Sequence, residues 1–137
     1  EDQVRVLSAC LASAVAYLHT IGWMYRDLKP ENVVMSPDGL VRLVDFGLTK
    51  SAAQPSYTIC GTAEYVAPEM IQMVGHDGVV DWWALGVLTY ELLHGYTPFS
   101  EEGTLEDPLA IYRRATNPDY KPSYAPRLSP AAVSCLK

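Results

Sequence analysis

Cysteine, positive charge and long apolar runs are all in short supply, and each shortage removes a class of protein. The 137 residues hold three cysteines, Cys10, Cys60 and Cys135, far apart and without a C-x-x-C pair. That spacing offers neither a disulfide framework nor a thiolate zinc site. It fits reduced thiols, so an intracellular, cytoplasmic location is expected. Lys and Arg number 10 against 16 Asp and Glu, a net charge of −6, which argues against the basic face of a nucleic-acid binder. The apolar stretch Val79–Leu93 carries Asp81 and Glu91 and is too short to cross a bilayer, so no membrane span is expected. "EDQVRVLSAC" has no basic n-region, so no signal peptide is visible there. With 49% hydrophobic and 19% charged residues, the composition is globular and the length suits one core.

The apolar spacing of Val4, Leu7, Leu11, Ala14, Val15 and Leu18 predicts a helix stopped by Gly22. Val33–Met35 and Val41–Val44 flank "SPDG" and predict an antiparallel hairpin. Ser51–Ala63 is small and polar, hence a loop. Pro68 opens a short helix ending near Gly75, and Val79–Leu93 reads as a helix buried on every side. "SEEGTLEDP" is an acidic loop, Leu109–Ala115 a short helix, and Ser129–Lys137 the start of another with Pro130 in its first turn.

Chemistry concentrates in "YRDLKPEN", Tyr25–Asn32, which sets Arg26, Asp27, Lys29, Glu31 and Asn32 between apolar stretches. If Val33 pairs roughly with Val44, Asn32 and Asp45 emerge together at the open end of the hairpin. A carboxylate beside a carboxamide oxygen makes a pair of hard ligands suited to Mg²⁺ and its phosphate partners. Asp27 is then positioned to orient a hydroxyl nucleophile, and Lys29 to neutralise phosphate charge. Either Asn32 or Asp45 alone is more often a turn cap. Their combination favours the metal.

"YRDLKPEN", "DFG" at Asp45–Gly47 and "APE" at Ala67–Glu69 occur in one order and resemble the catalytic-loop, metal-loop and activation-segment motifs of eukaryotic protein kinases. "TICGTAEYVAPE", "DWWALGVLTYELLHGYTPF" and Tyr25 in place of the commoner His narrow the resemblance. They point to the Ser/Thr kinases of the AGC group, which holds the cyclic-nucleotide-dependent kinases and protein kinase C. The resemblance implies an α+β, protein-kinase-like fold: the mainly helical large lobe, with one or two short β-hairpins at its catalytic edge. It implies transfer of the ATP γ-phosphate to Ser or Thr of protein substrates, with ATP and Mg²⁺ as cofactors.

By that resemblance Asp27 is the catalytic base and Lys29 contacts the transferring phosphate, while Asn32 and Asp45 hold Mg²⁺. Thr62 bonds into the catalytic loop. Thr58 takes an activating phosphate from an upstream kinase, paired with Arg26 and Lys50. Glu31 and Glu91 match positions that bind arginine ahead of the acceptor. Leu48 matches a preference for Ser over Thr. Asp81, Glu69, Phe46 and Tyr25 support the loops, and Val34, with Leu88 and Leu92, belongs to the apolar stack beneath adenine. His19, His76, His94, Trp82 and Trp83 read as packing or loop residues.

The pattern also breaks. No G-x-G-x-x-G occurs, and the four lysines, Lys29, Lys50, Lys121 and Lys137, all lie at or after the catalytic loop, so residues 1–137 are expected to lack the small ATP-covering lobe. Residues 1–137 are therefore expected to be a partial kinase domain, truncated at both ends and inactive alone. The alternative is a non-catalytic remnant serving as a binding module or decoy. An unrelated metal-dependent phosphotransferase leaves the long "DWWALGVLTYELL" match unexplained. Arg127 is not in the context that would pair it with Glu69, and Ala63 stands where the group usually has proline.

Overall fold

A computed structural model of the chain describes residues 1–101 and 107–136; most of the acidic stretch between Ser100 and Pro108 lies outside them. Helix α1 runs Asp2–Thr20 and ends where Ile21 and Gly22 return their N–H groups to Tyr17 and His19. Gly22 takes φ +79°, the left-handed conformation that costs glycine least. Strand β1 (Trp23–Met24) follows, then the Tyr25–Asn32 loop with a 3₁₀ turn over Pro30–Asn32. Strands β2 (Val33–Met35) and β3 (Val41–Leu43) form the expected hairpin. Strand β4 (Lys50–Ser51) pairs with β1. A second 3₁₀ turn covers Ala63–Tyr65, and helices α2 (Pro68–Ile71), α3 (Val79–His94), α4 (Pro108–Ala115) and α5 (Pro130–Cys135) complete the order.

The core sits between α1 and α3. Leu11 and Val15 from α1 meet Ala84, Leu85 and Leu88 from α3, with Tyr25 and Leu28 of the loop driven in between them. A second cluster joins Val66, Ala67 and Met70 to Val80. A third joins Val87 to Phe99 and Ile111, where Trp83 stacks on Phe99 with centroids 5.4 Å apart. The Tyr25–Asn32 loop is thus a polar segment nailed at both ends into apolar packing. Asp107 and Ser129 cap α4 and α5, accepting N–H bonds from Leu109 and Ala132.

Four expectations change. The hairpin register is Val33 with Leu43, not Val44, so Asn32 faces Val44 and receives its N–H at 3.0 Å, and Asp45 lies one residue further along. The Ser51–Ala63 segment is not all loop: Ser51 pairs with Trp23, and Ser56 bridges His76. Helix α2 stops at Ile71, four residues short of Gly75. Helix α3 is not buried all round: Val79 is 60% and Trp82 42% exposed. Its apolar composition hid this, because α1 covers only one side and a cleft of about 550 Å³ opens between α1, α3 and α5. Among the described residues no helix is long and apolar enough to cross a membrane.

Candidate active site

The Tyr25–Asn32 loop is held from below by Asp81, a fully buried carboxylate in the first turn of α3. Its Oδ2 accepts the N–H of Tyr25 at 2.8 Å and its Oδ1 that of Arg26 at 2.7 Å, while His19 Nε2 also meets Oδ2 at 2.8 Å. Arg26 takes φ +68°, a conformation costly for a residue with a Cβ, and the Asp81 bond to its N–H helps hold it there.

Asp27 follows, its side chain almost wholly buried. Its Oδ2 receives Asn32 Nδ2 at 2.8 Å and lies 3.1 Å from Lys29 Nζ. Asn32 Nδ2 also donates to the Asp27 carbonyl at 2.8 Å, and Lys29 Nζ donates to Thr62 Oγ1 at 3.1 Å. The short Asp27–Asn32 spacing closes on itself, which turns each functional group the same way. The opposite wall is Gly61, at φ +93°, where an added Cβ would stand 3.0 Å from the Arg26 carbonyl and 3.6 Å from Asp27 Oδ1. Only glycine allows that approach without displacing backbone.

Asp45 lies beyond β3, exposed and at φ +57°, with Oδ1 accepting the Gly47 N–H at 3.0 Å. Tyr25 ties this segment to the loop: its hydroxyl donates to the Val44 carbonyl, and its ring meets Phe46 edge-on at 5.5 Å. Burial, then the Asp27 and Asp45 carboxylates, push the Tyr25 phenol well above its ordinary range. Asn32 donates its amide nitrogen to Asp27, and Asp45 Oδ1 accepts from Gly47. Among the described residues the Asn32 side-chain oxygen and the second Asp45 oxygen accept no hydrogen bond and are open to a ligand. That donor set fits Mg²⁺, which takes one or two protein oxygens and completes its shell with water and phosphate. Among the described residues no cluster of three or more His, Cys, Asp or Glu side chains could hold a metal without such help.

Arg26 and Lys50 come together, but on Ser56 and not on Thr58. Arg26 Nη1 donates to Ser56 Oγ at 3.1 Å and Lys50 Nζ donates to it at 3.0 Å, while Arg26 Nε holds the Leu48 carbonyl at 2.9 Å. Thr58 is exposed two residues on. Glu91 accepts the Tyr65 hydroxyl, and burial followed by Glu91 raises that phenol far above its ordinary value. Glu31 and Glu64 act on the same phenol, so three carboxylates share this corner. Glu69 is half-buried with no ion pair among the described residues, and Arg127 bonds the Leu93 carbonyl instead. Val34 and Leu92 are exposed and Leu88 is buried in the core.

Sequence reasoning missed Ser56, Glu64 and the Asp81 contact of His19. Ser56 sits in a segment whose composition says only "loop", and Glu64 in a motif that carries no signal for its own role. His19 carried a usable signal, since a histidine at the end of α1 is close to any carboxylate opening a helix packed beside it.

Comparison with known proteins fits this geometry. Residues 1–134 match the family profile described as protein kinase domain. The chain is 50% identical over 107 residues to cAMP-dependent protein kinase catalytic subunit 3 of Drosophila melanogaster, covering 78% of this chain and 18% of that protein. It is 47% identical over 107 residues to the human cAMP-dependent protein kinase catalytic subunit PRKX, covering 78% and 29%. It is 55% identical over 102 residues to mouse cGMP-dependent protein kinase 2, covering 73% and 13%. The match thus spans well under half the length of each of these relatives. By profile the chain belongs to the protein kinase domain family, and the relatives it resembles are cyclic-nucleotide-dependent protein kinases.

Proposed function

We propose that residues 1–137 are the catalytic-loop part of a kinase domain that transfers the ATP γ-phosphate to Ser or Thr of arginine-containing proteins. The observation that carries this is the closed Asp27–Lys29–Asn32–Thr62 network. Asp27 accepts the proton of the substrate hydroxyl or orients it, with one oxygen held by Asn32 and Lys29. Lys29 brings positive charge to the transferring group, and Thr62 fixes its ammonium. Asn32 and Asp45 would hold Mg²⁺, which when bound neutralises charge on the ATP phosphates. Asp81, His19 and Tyr25 hold these groups in place before substrate arrives, which suits a reaction governed by positioning.

Asp27→Asn in the full kinase tests the reading: phosphotransfer is expected to be lost while nucleotide still binds, and normal turnover would overturn it. Glu31, Glu64 and Glu91 support arginine recognition, so a peptide array should lose signal when arginine is removed. An unchanged signal would refute that preference. Thr58 is the proposed acceptor of an activating phosphate from an upstream kinase. Peptide mass mapping of the active native protein should find it phosphorylated, and its absence there would count against the assignment.

A further inference from the structure

The connection from α4 to α5, residues 116–129, crosses the C-terminal end of α3, and three hydrogen bonds tie it there. The Tyr90 hydroxyl donates to the Ser123 carbonyl, the Ala125 N–H donates to His94 Nε2 at 3.1 Å, and Arg127 Nη2 donates to the Leu93 carbonyl at 2.9 Å. His94 Nδ1 lies 2.9 Å from the Tyr90 carbonyl, and the imidazole stacks on the Tyr90 ring with centroids 3.8 Å apart. Tyr96 and Tyr124 close round the same imidazole at 5.9 and 6.4 Å.

Both nitrogens of His94 face partners that can play only one part. A backbone N–H only donates and a carbonyl only accepts, so Nε2 must offer its lone pair and Nδ1 must carry the proton. The partners thus hold the ring neutral and in one tautomer. A residue serving only as packing would stack on Tyr90 without committing either nitrogen. Protonation changes one side alone. The Nδ1 bond survives, whereas Nε2 gains a hydrogen aimed at the Ala125 N–H, and two donors then stand 3.1 Å apart. The facing side chains of Tyr90, Tyr96 and Tyr124 supply no carboxylate to hold the charged ring, and Glu91, one turn back on α3, is committed to the Tyr65 hydroxyl. Arg127 on the adjacent carbonyl opposes a second positive charge, while the carbonyl end of α3 favours one. Burial and then Tyr96 push the Tyr90 phenol well above its ordinary range, so its bond to Ser123 does not respond to acid.

We propose that His94 is a proton-operated latch: neutral, it fastens the connection to the end of α3, and protonated, it releases Ala125 and the stretch around it. The flanks stay in place, because the Tyr120 hydroxyl holds the Pro98 carbonyl at 3.1 Å and Ser129 caps α5. The opening is therefore confined between those two anchors, and the core packed between α1 and α3 takes no part in it.

Acid also acts through His76, because burial and then the Arg26 charge keep its folded value below 6.5 and drain stability from the whole fold as pH falls. The experiment must therefore separate a local opening from a global one. In the full kinase, NMR follows the His94 ring and the exchange protection of the Ala125, Val15 and Leu88 amides between about pH 5 and 8, where histidine titrates. In wild type, Ala125 protection should fall about tenfold as the His94 ring takes up its proton, the worth of one hydrogen bond. Val15 and Leu88, in the core, should stay protected. His94→Gln keeps an acceptor near the Nε2 position and cannot titrate, so Ala125 should remain protected throughout. His94→Phe keeps the stack without an acceptor, so Ala125 should exchange freely at every pH. The latch is overturned if Ala125 stays protected after the ring has titrated, if the ring does not titrate over this range, or if His94→Gln loses protection as wild type does. Loss of Val15 and Leu88 protection in step with Ala125 would overturn it as well, since the opening is then global.

Discussion

Asp81→Ala removes the support under the catalytic loop, and its cost can be worked from the contacts. The substitution strips acceptors from the Tyr25 N–H, which is buried, and from the Arg26 N–H, which is partly so. Each buried donor left without a partner costs about 1–3 kcal/mol. The pair therefore predicts roughly 2–5 kcal/mol of lost stability, the Arg26 share at the lower end. Arg26 then has less reason to stay at φ +68°, so the damage should be local as well as global. Urea unfolding of wild type and variant measures the total, and hydrogen exchange at Tyr25 and Arg26 measures the local part. His19→Ala is the control. It removes one contact of the same carboxylate and spares both backbone bonds, so it should cost no more than about 1.5 kcal/mol. An Asp81→Ala protein within about 1 kcal/mol of wild type, with both amides still protected, would refute the reasoning.

Gly61→Ala places a Cβ 3.0 Å from the Arg26 carbonyl at φ +93°, so it should destabilise by about 1–3 kcal/mol and slow phosphotransfer in the full kinase. Thermal melting and turnover measured together check it. His76 predicts a pH effect whose sign follows from its depressed folded value: near pH 6.5 the unfolded chain takes up a proton that the folded chain refuses. Stability should therefore fall as pH drops below 6.5, and His76→Phe should remove that part of the slope in melts between pH 5 and 8.

Legibility in the sequence followed the range of the interaction. The α1 and α3 helices and the β2–β3 hairpin were readable because their patterns repeat within a few residues. Asp27, Lys29 and Asn32 stood out as candidates by their spacing, but the hydrogen bonds from Asn32 to Asp27 were not foreseen, because the sequence pointed Asn32 toward Asp45. The register was off by one because nothing local distinguishes Leu43 from Val44 as the partner of Val33. The β1–β4 pair and the Ser56–His76 bridge are held by contacts distant in the chain, between strands too short to show alternation. The exposed stripe of α3 was hidden for the opposite reason: an apolar residue facing a cleft looks the same in sequence as one facing a core.

The tie between the catalytic loop and the Asp45 segment runs through a phenol, Tyr25 to the Val44 carbonyl. Histidine, the commoner residue at this place in the family, ionises near pH 6.5 and would make the joint sensitive to acidification. A phenol pushed above its ordinary value stays a neutral donor throughout the cellular range. Acid and mild alkali can alter other parts of this site while the spacing between its two halves stays fixed. His76, an imidazole that responds to acid, lies beyond the APE motif and outside this joint.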